Sequence, residues 1–185
     1  MTKKVLVPIA DGTEEVEAVS LIDVLRRAGA EVTVASVDAQ QISSSRDVRI
    51  VADCLLKDCA DGIFDLIALP GGLPGAEHLR DSKELTRLLK EQKESGRLYG
   101  AICASPAVVL KHHGLLGTKQ ATAHPYFSDE LDNRERIDMP VVVDGNCITS
   151  RGVGTALLFA LKLVELLYEK EKAGEIAGQL VMQDY

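Results

Sequence analysis

Leu98-Tyr99-Gly100-Ala101-Ile102-Cys103-Ala104-Ser105-Pro106-Ala107 passes from strand to helix within one residue. Leu98 to Ile102 is a short apolar run and reads as a buried strand. Ala104, Ser105 and Pro106 open a helix that continues through Ala107, Val108, Val109 and Leu110. Cys103 falls at the junction. A side chain there stands at the carboxyl edge of a sheet, and the first N–H groups of the helix favour a thiolate. The serine elbow of α/β-hydrolases is the same device. The literal G-x-S-x-G spacing is absent, because Gly100 precedes Cys103 by three. The plain alternative is that a free cysteine often serves as a small buried hydrophobe.

Outward from this turn, the chain supplies the rest of a sheet. Val5, Leu6, Val7 and Ile9 mark a first strand over Lys4–Ile9, and Asp11-Gly12-Thr13 turns into a helix with Thr13 as its capping hydroxyl. The helix runs to about Ala28, Gly29 ends it, and Glu31 to Val37 is a second strand. A β-α-β unit implies parallel strands and a right-handed crossover. Val48 to Cys54 reads as a short excursion strand after a Ser-rich loop, and Phe64 to Leu69 as a buried strand ending at Pro70-Gly71-Gly72. Glu77 to Glu94 is helical and interrupted near Asp81, with Ser82 as a cap; Lys119 to Thr122 reads as a strand leading to His124-Pro125. Met139 to Val143 and Cys147 to Ser150 flank Asp144-Gly145-Asn146, a hairpin signal. Thr155 to Tyr168 is a helix apolar nearly all round, and Glu169 to Gln179 a weaker last helix. Alternating strands and helices predict a three-layer α/β sandwich, one domain over residues 1–185.

Composition narrows the classes of partner. A formal charge of -7 without a Lys/Arg cluster disfavours nucleic acid and anionic membranes. No apolar run approaches the roughly 20 residues of a membrane span. Pro8, Asp11 and Glu14 cut short the N-terminal apolar run before it can resemble a signal peptide. A cytoplasmic location follows as the expectation, with Cys54, Cys59, Cys103 and Cys147 as thiols. Cys54 and Cys59, five apart with no histidine nearby, make a poor zinc pattern.

Glu17 is the second candidate. At 100° per residue it falls within the apolar arc of Ala18, Leu21, Val24, Leu25 and Ala28. A carboxylate there must be paired, protonated, or able to snorkel out from the first turn, and helix geometry alone leaves these open. Because the first helix also starts at the sheet's carboxyl edge, Glu17 and Cys103 are expected near each other. A buried, protonated Glu17 would donate to the thiolate and keep a proton beside the nucleophile. Gly71 and Gly72 allow close backbone approach and, with the Ala104 N–H, an oxyanion hole, or are a plain turn. His124 is a candidate base or a structural histidine, and Arg46 an anion holder or a solvated loop residue. Val16 and Val19 on the polar side of the first helix suggest a second buried surface, most economically a homodimer.

Several stretches together carry a resemblance: Asp11-Gly12-Thr13-Glu14-Glu15-Val16-Glu17-Ala18, Ser45-Arg46-Asp47-Val48, Leu69-Pro70-Gly71-Gly72, Ala101-Ile102-Cys103-Ala104, His124-Pro125, Thr149-Ser150-Arg151-Gly152 and Gln179-Leu180-Val181-Met182. On these the chain resembles the ThiJ/PfpI superfamily, in particular its short branch related to the parkinsonism-associated protein deglycase. The resemblance implies a flavodoxin-like sandwich with a mostly parallel sheet, and a homodimer. It implies Cys103 as nucleophile and oxidation site, Glu17 as the protonated acid, His124 beside the cysteine, and backbone donors at Gly72 and Ala104. The activity it implies is that of a cofactor-free, metal-free glyoxalase or deglycase acting on methylglyoxal-type carbonyls or their early adducts. Its other implication is a redox sensor or chaperone-like dimer acting through a Cys103 sulfinate. Ala104 stands where the protease-like branch has histidine, which disfavours a protease. Val153 stands where close relatives often have proline, and Ala52 where they often have a second oxidisable cysteine.

Overall fold

A computed structural model describes residues 2–182. In chain order the main elements are β1 (Lys4–Ile9), α1 (Glu15–Arg27), β2 (Glu31–Ser36), β3 (Gln41–Ser43), β4 (Arg49–Val51), β5 (Cys54–Leu55) and α2 (Leu56–Cys59). There follow β6 (Leu66–Leu69), α3 (Gly75–Asp81), α4 (Lys83–Glu94), β7 (Leu98–Ile102), β8 (Val141–Asp144), β9 (Cys147–Ser150), α5 (Ala156–Tyr168) and α6 (Lys170–Gln179). The main sheet has seven strands in the order β5-β2-β1-β6-β7-β9-β8. All neighbours pair in parallel except β8 and β9, the Asp144-Gly145-Asn146 hairpin.

The layers follow from the period of two along a strand. Val5, Val7 and Ile9 pack with Leu21, Leu25, Phe159 and Val164 under α1 and α5, whereas Leu6 joins Leu79, Leu85 and Leu89 on the opposite face. This is the α/β flavodoxin-like sandwich with a mostly parallel sheet. On the largely apolar α5, Phe159, Ala160, Leu161, Leu163 and Val164 are fully buried, while Leu157 and Leu166 reach the surface.

Four local expectations are corrected. The strand expected over Lys119 to Thr122 does not form. Three of its N–H groups go elsewhere: Lys119 donates to Leu116 O at 3.0 Å, Gln120 to Asp144 Oδ2 at 2.8 Å and Thr122 to Thr149 Oγ1 at 2.9 Å. The strand expected from Val48 to Cys54 divides into β4, antiparallel to β3 in a separate two-stranded sheet, and β5, parallel to β2. Asp53 sits at the division, where its Oδ2 accepts from the Val34 N–H at 2.9 Å and from Arg26 at 3.1 Å. Thr13 does not cap α1; its Oγ1 accepts from the Ala10 N–H at 3.0 Å and closes the preceding turn. The segment after Cys103 is wound as a π-helix over Pro106–Lys111. Ser82 does cap α4, accepting from the Leu85 N–H at 3.3 Å.

Candidate active site

Parallel strands end together, so the loops after β1, β6, β7 and β9 meet along one edge of the sheet. Cys103 follows β7 directly with φ +66°, the left-handed region that for a non-glycine residue costs about 1–2 kcal/mol. Main-chain bonds on both sides hold it there. Its N–H donates to Ser150 O at 3.1 Å, and its carbonyl accepts from the His124 N–H at 2.9 Å. Ser105 Oγ, fully buried, donates to Pro70 O at 2.6 Å and fastens the elbow to the loop after β6.

Gly71 is a packing requirement. A Cβ built on it would lie 2.6 Å from Cys103 Cβ and 2.9 Å from Glu17 Oε2. Gly72 has φ +89°, and its missing Cβ would fall 2.4 Å from Gly12 O. The loops after β1 and β6 therefore interlock backbone to backbone, which presses the start of α1 against the elbow.

Glu17, in the first turn of α1, is 0% exposed. Its Oε2 accepts from the Gly71 N–H at 2.8 Å, and Oε1 is buried with no hydrogen-bond partner among the described residues. Burial pushes the carboxyl up to about 7, against the opposing effects of the Gly71 N–H and a side-chain interaction with the Cys103 thiol; the charge of Glu14 adds to the rise. The carboxyl thus exchanges its proton near neutrality.

The thiol departs from expectation. A helix start was expected to lower Cys103, but burial first, and the charge of Glu17 second, push it up to about 12. The Gly72 and Ala104 N–H groups bond the sulfur and oppose this without overcoming it. The repulsion exists only when Glu17 is ionised. A protonated Glu17 removes it and becomes a donor to the sulfur, so the two residues compete for one proton. In the resting site the expected oxyanion donors face the sulfur itself.

Above the sulfur opens a cavity of about 750 Å³, bordered by Arg46, His124, Tyr126, Arg151 and Val153. Arg46, exposed at the rim, donates to Ser45 O at 2.9 Å, and Ser45 Oγ lies 2.6 Å from Glu14 Oε2. His124 is expected as an auxiliary base, and its side chain argues otherwise. Nδ1 accepts from the Tyr126 N–H at 3.2 Å, so the neutral ring carries its proton on Nε2 and offers the cavity a donor.

The structure therefore gathers Cys103, Glu17, Gly71, Gly72, Ala104, His124 and Arg46 at one edge. Reading residue by residue passed over Ser150 and Ser105. Ser150 acts on Cys103 through a main-chain carbonyl, which no side-chain pattern marks. The proximity of Ser105 to the nucleophile was the available signal for its role.

The DJ-1/PfpI family matches residues 3–166. Protein DJ-1 homolog B of Arabidopsis thaliana is 51% identical over 177 residues, 95% of this chain and 40% of that protein. The chain spans less than half the length of the Arabidopsis relatives it matches. A Caenorhabditis elegans protein named glutathione-independent glyoxalase DJR-1.2 is 38% identical over 180 residues, 96% of this chain and 95% of that one. Among solved structures, oxidised Toxoplasma gondii DJ-1 superposes with a TM-score of 0.96 at 51% identity, covering 99% of this chain and all of that one.

Proposed function

The chain belongs to the DJ-1/PfpI family, and from that premise we propose that it is a cofactor-free glyoxalase or deglycase whose nucleophile is Cys103. The observation that carries the reading is a cysteine held in a left-handed turn beside a fully buried carboxyl beneath an open cavity. The name of the Caenorhabditis elegans relative, a glutathione-independent glyoxalase, supports the glyoxalase side of this reading, with α-oxoaldehydes such as methylglyoxal as substrates.

The residues divide the work as follows. The Cys103 thiolate adds to the aldehyde carbon while Glu17 holds the proton. Negative charge moves from sulfur to the adduct oxygen, within reach of the Gly72 and Ala104 N–H groups that had bonded the sulfur. Glu17 protonates that oxygen, giving a hemithioacetal. As a carboxylate it then takes the proton from the former aldehyde carbon and returns it to the neighbouring carbon of the enediol. The product is a lactoyl thioester on Cys103, and water releases lactate and the thiol. His124 Nε2–H and Arg46 steady the carbonyl oxygens. The test is lactate formation from methylglyoxal without glutathione; turnover unchanged in Cys103→Ala refutes the mechanism.

A second reading uses the same thiol as a redox sensor through a sulfinate, and the oxidised form of the Toxoplasma gondii relative favours it. Mild peroxide should then add two oxygens selectively at Cys103, read by intact mass. Val16 and Val19, 47% and 52% exposed on α1, support a homodimer; a monomeric sedimentation coefficient at micromolar concentration refutes it.

A further inference from the structure

Across the sheet from the elbow lie two more thiols, Cys54 and Cys59. Cys54 is the first residue of β5 and Cys59 the last residue of α2, so a single helical turn folds one cysteine back toward the other. The charge of Cys54 acts on Cys59 across that turn, and Cys59 Sγ donates to Leu56 O at 3.5 Å. Both are partly exposed, and a cavity of about 310 Å³ opens beside Cys59. β5 is four strands from β7, roughly 19 Å at about 4.8 Å per strand, so this pair does not share the chemistry of Cys103.

We propose that Cys54 and Cys59 form a dithiol site that hydroperoxides oxidise reversibly to an intramolecular disulfide. Burial first, then its interaction with Cys54, pushes Cys59 up, and Cys54 is assigned the first attack. The Cys54 sulfur attacks one peroxide oxygen, the O–O bond breaks, and water or an alcohol leaves with a sulfenic acid on Cys54. The Cys59 sulfur displaces the hydroxyl from that sulfenic sulfur, and its proton leaves with it as water. Two thiols lose two electrons and two protons, and the peroxide is reduced. A disulfide needs Cβ atoms about 3.8 Å apart, and the single turn of α2 leads Cys59 back toward Cys54. A pair that closes can return to the dithiol by thiol exchange, whereas a lone thiol that gains two oxygens cannot.

The sequence makes the test direct. Trypsin cuts after Arg49, Lys57 and Arg80, which puts Cys54 and Cys59 on separate fragments, 50–57 and 58–80. After hydrogen peroxide and alkylation of remaining thiols, a non-reducing digest should hold these fragments linked, two mass units below their sum. A dithiol reductant should separate them. The link should be absent from Cys54→Ser and from Cys59→Ser, and should persist in Cys103→Ala. Recovery of the two fragments separately while Cys103 is fully oxidised overturns the proposal. So does a link joining two copies of the chain on a non-reducing gel, or its loss in Cys103→Ala. The wild-type digest decides the matter even where a serine variant folds poorly.

Discussion

Replacing Glu17 with glutamine should change the shape of the reactivity profile of Cys103 as well as its height. In the wild-type site, deprotonation near pH 7 removes one proton from a pair. Above that point the fraction of thiolate within the singly deprotonated pair is constant, so iodoacetamide alkylation should rise up to about pH 7 and then level off. The plateau should last until the second proton leaves, toward about 12. The amide introduced by Glu17→Gln keeps the hydrogen bond from the Gly71 N–H through its oxygen and turns an N–H toward the sulfur. It cannot ionise, so the variant's profile has no break at 7 and climbs tenfold per pH unit. The gap between variant and wild type therefore opens by a factor of ten per unit above neutrality. Two charges at about 4 Å and an effective dielectric constant of 20 repel by about 4 kcal/mol, or roughly three decades. Five decades separate about 12 from about 7, so the gap should stop near two, at about a hundredfold. Stopped-flow alkylation with mass readout at Cys103 measures both curves. A wild-type rate that climbs tenfold per unit straight through pH 7 to 9, parallel to the variant, sinks the shared-proton reasoning.

The same substitution should stabilise the fold at alkaline pH. Glu17 is raised from 4.5 to about 7, so its contribution is whole below about pH 4.5 and lost as pH rises through 7. That loss is about 3 kcal/mol, and Glu17→Gln escapes it. Urea unfolding should show the variant ahead by about that amount at pH 8 and nearly level at pH 4.5; equal midpoints at pH 8 count against a buried carboxyl. Gly71→Ala places a methyl 2.6 Å from Cys103 Cβ and 2.9 Å from Glu17 Oε2. It should cost about 1–3 kcal/mol and remove lactate formation together with the break at pH 7; retained turnover argues against that close approach. Ser105→Ala leaves Pro70 O unpaired in the interior and should cost about 1–3 kcal/mol. A melting temperature unchanged in that variant would mean that water replaces the hydroxyl.

How much of this was legible depended on whether a signal was local. The phase of α1 put Glu17 on the apolar arc between Val24 and Ala28 but left burial and snorkelling both open, and the structure buries it. The parallel sheet followed from alternating apolar runs and capped helices. Lys119 to Thr122 misled, since an extended segment satisfied by Asp144 and Thr149 side chains looks in sequence like a ladder strand. The division at Asp53 was hidden for the same reason: its carboxylate is bound by residues on α1 and β2. The ionisation of Cys103 could not be read locally either. A helix start argues for a low value, and only the packing shows that burial outweighs two backbone donors. For His124, the neighbouring sequence does not reveal which ring nitrogen is engaged.

The residues at the sheet edge are far apart along the chain. Glu17 is near the beginning, Gly71 and Cys103 lie in the middle, and the Ser150 carbonyl that takes the Cys103 N–H belongs to β9. During synthesis the acid emerges early and waits for the nucleophile, and the nucleophile waits for the strand that fixes its left-handed turn. Sheets built from such distant pairings close late in folding. Until β9 docks, the Ser150 carbonyl that takes the Cys103 N–H is missing, and one of the two main-chain bonds that hold the left-handed turn cannot form.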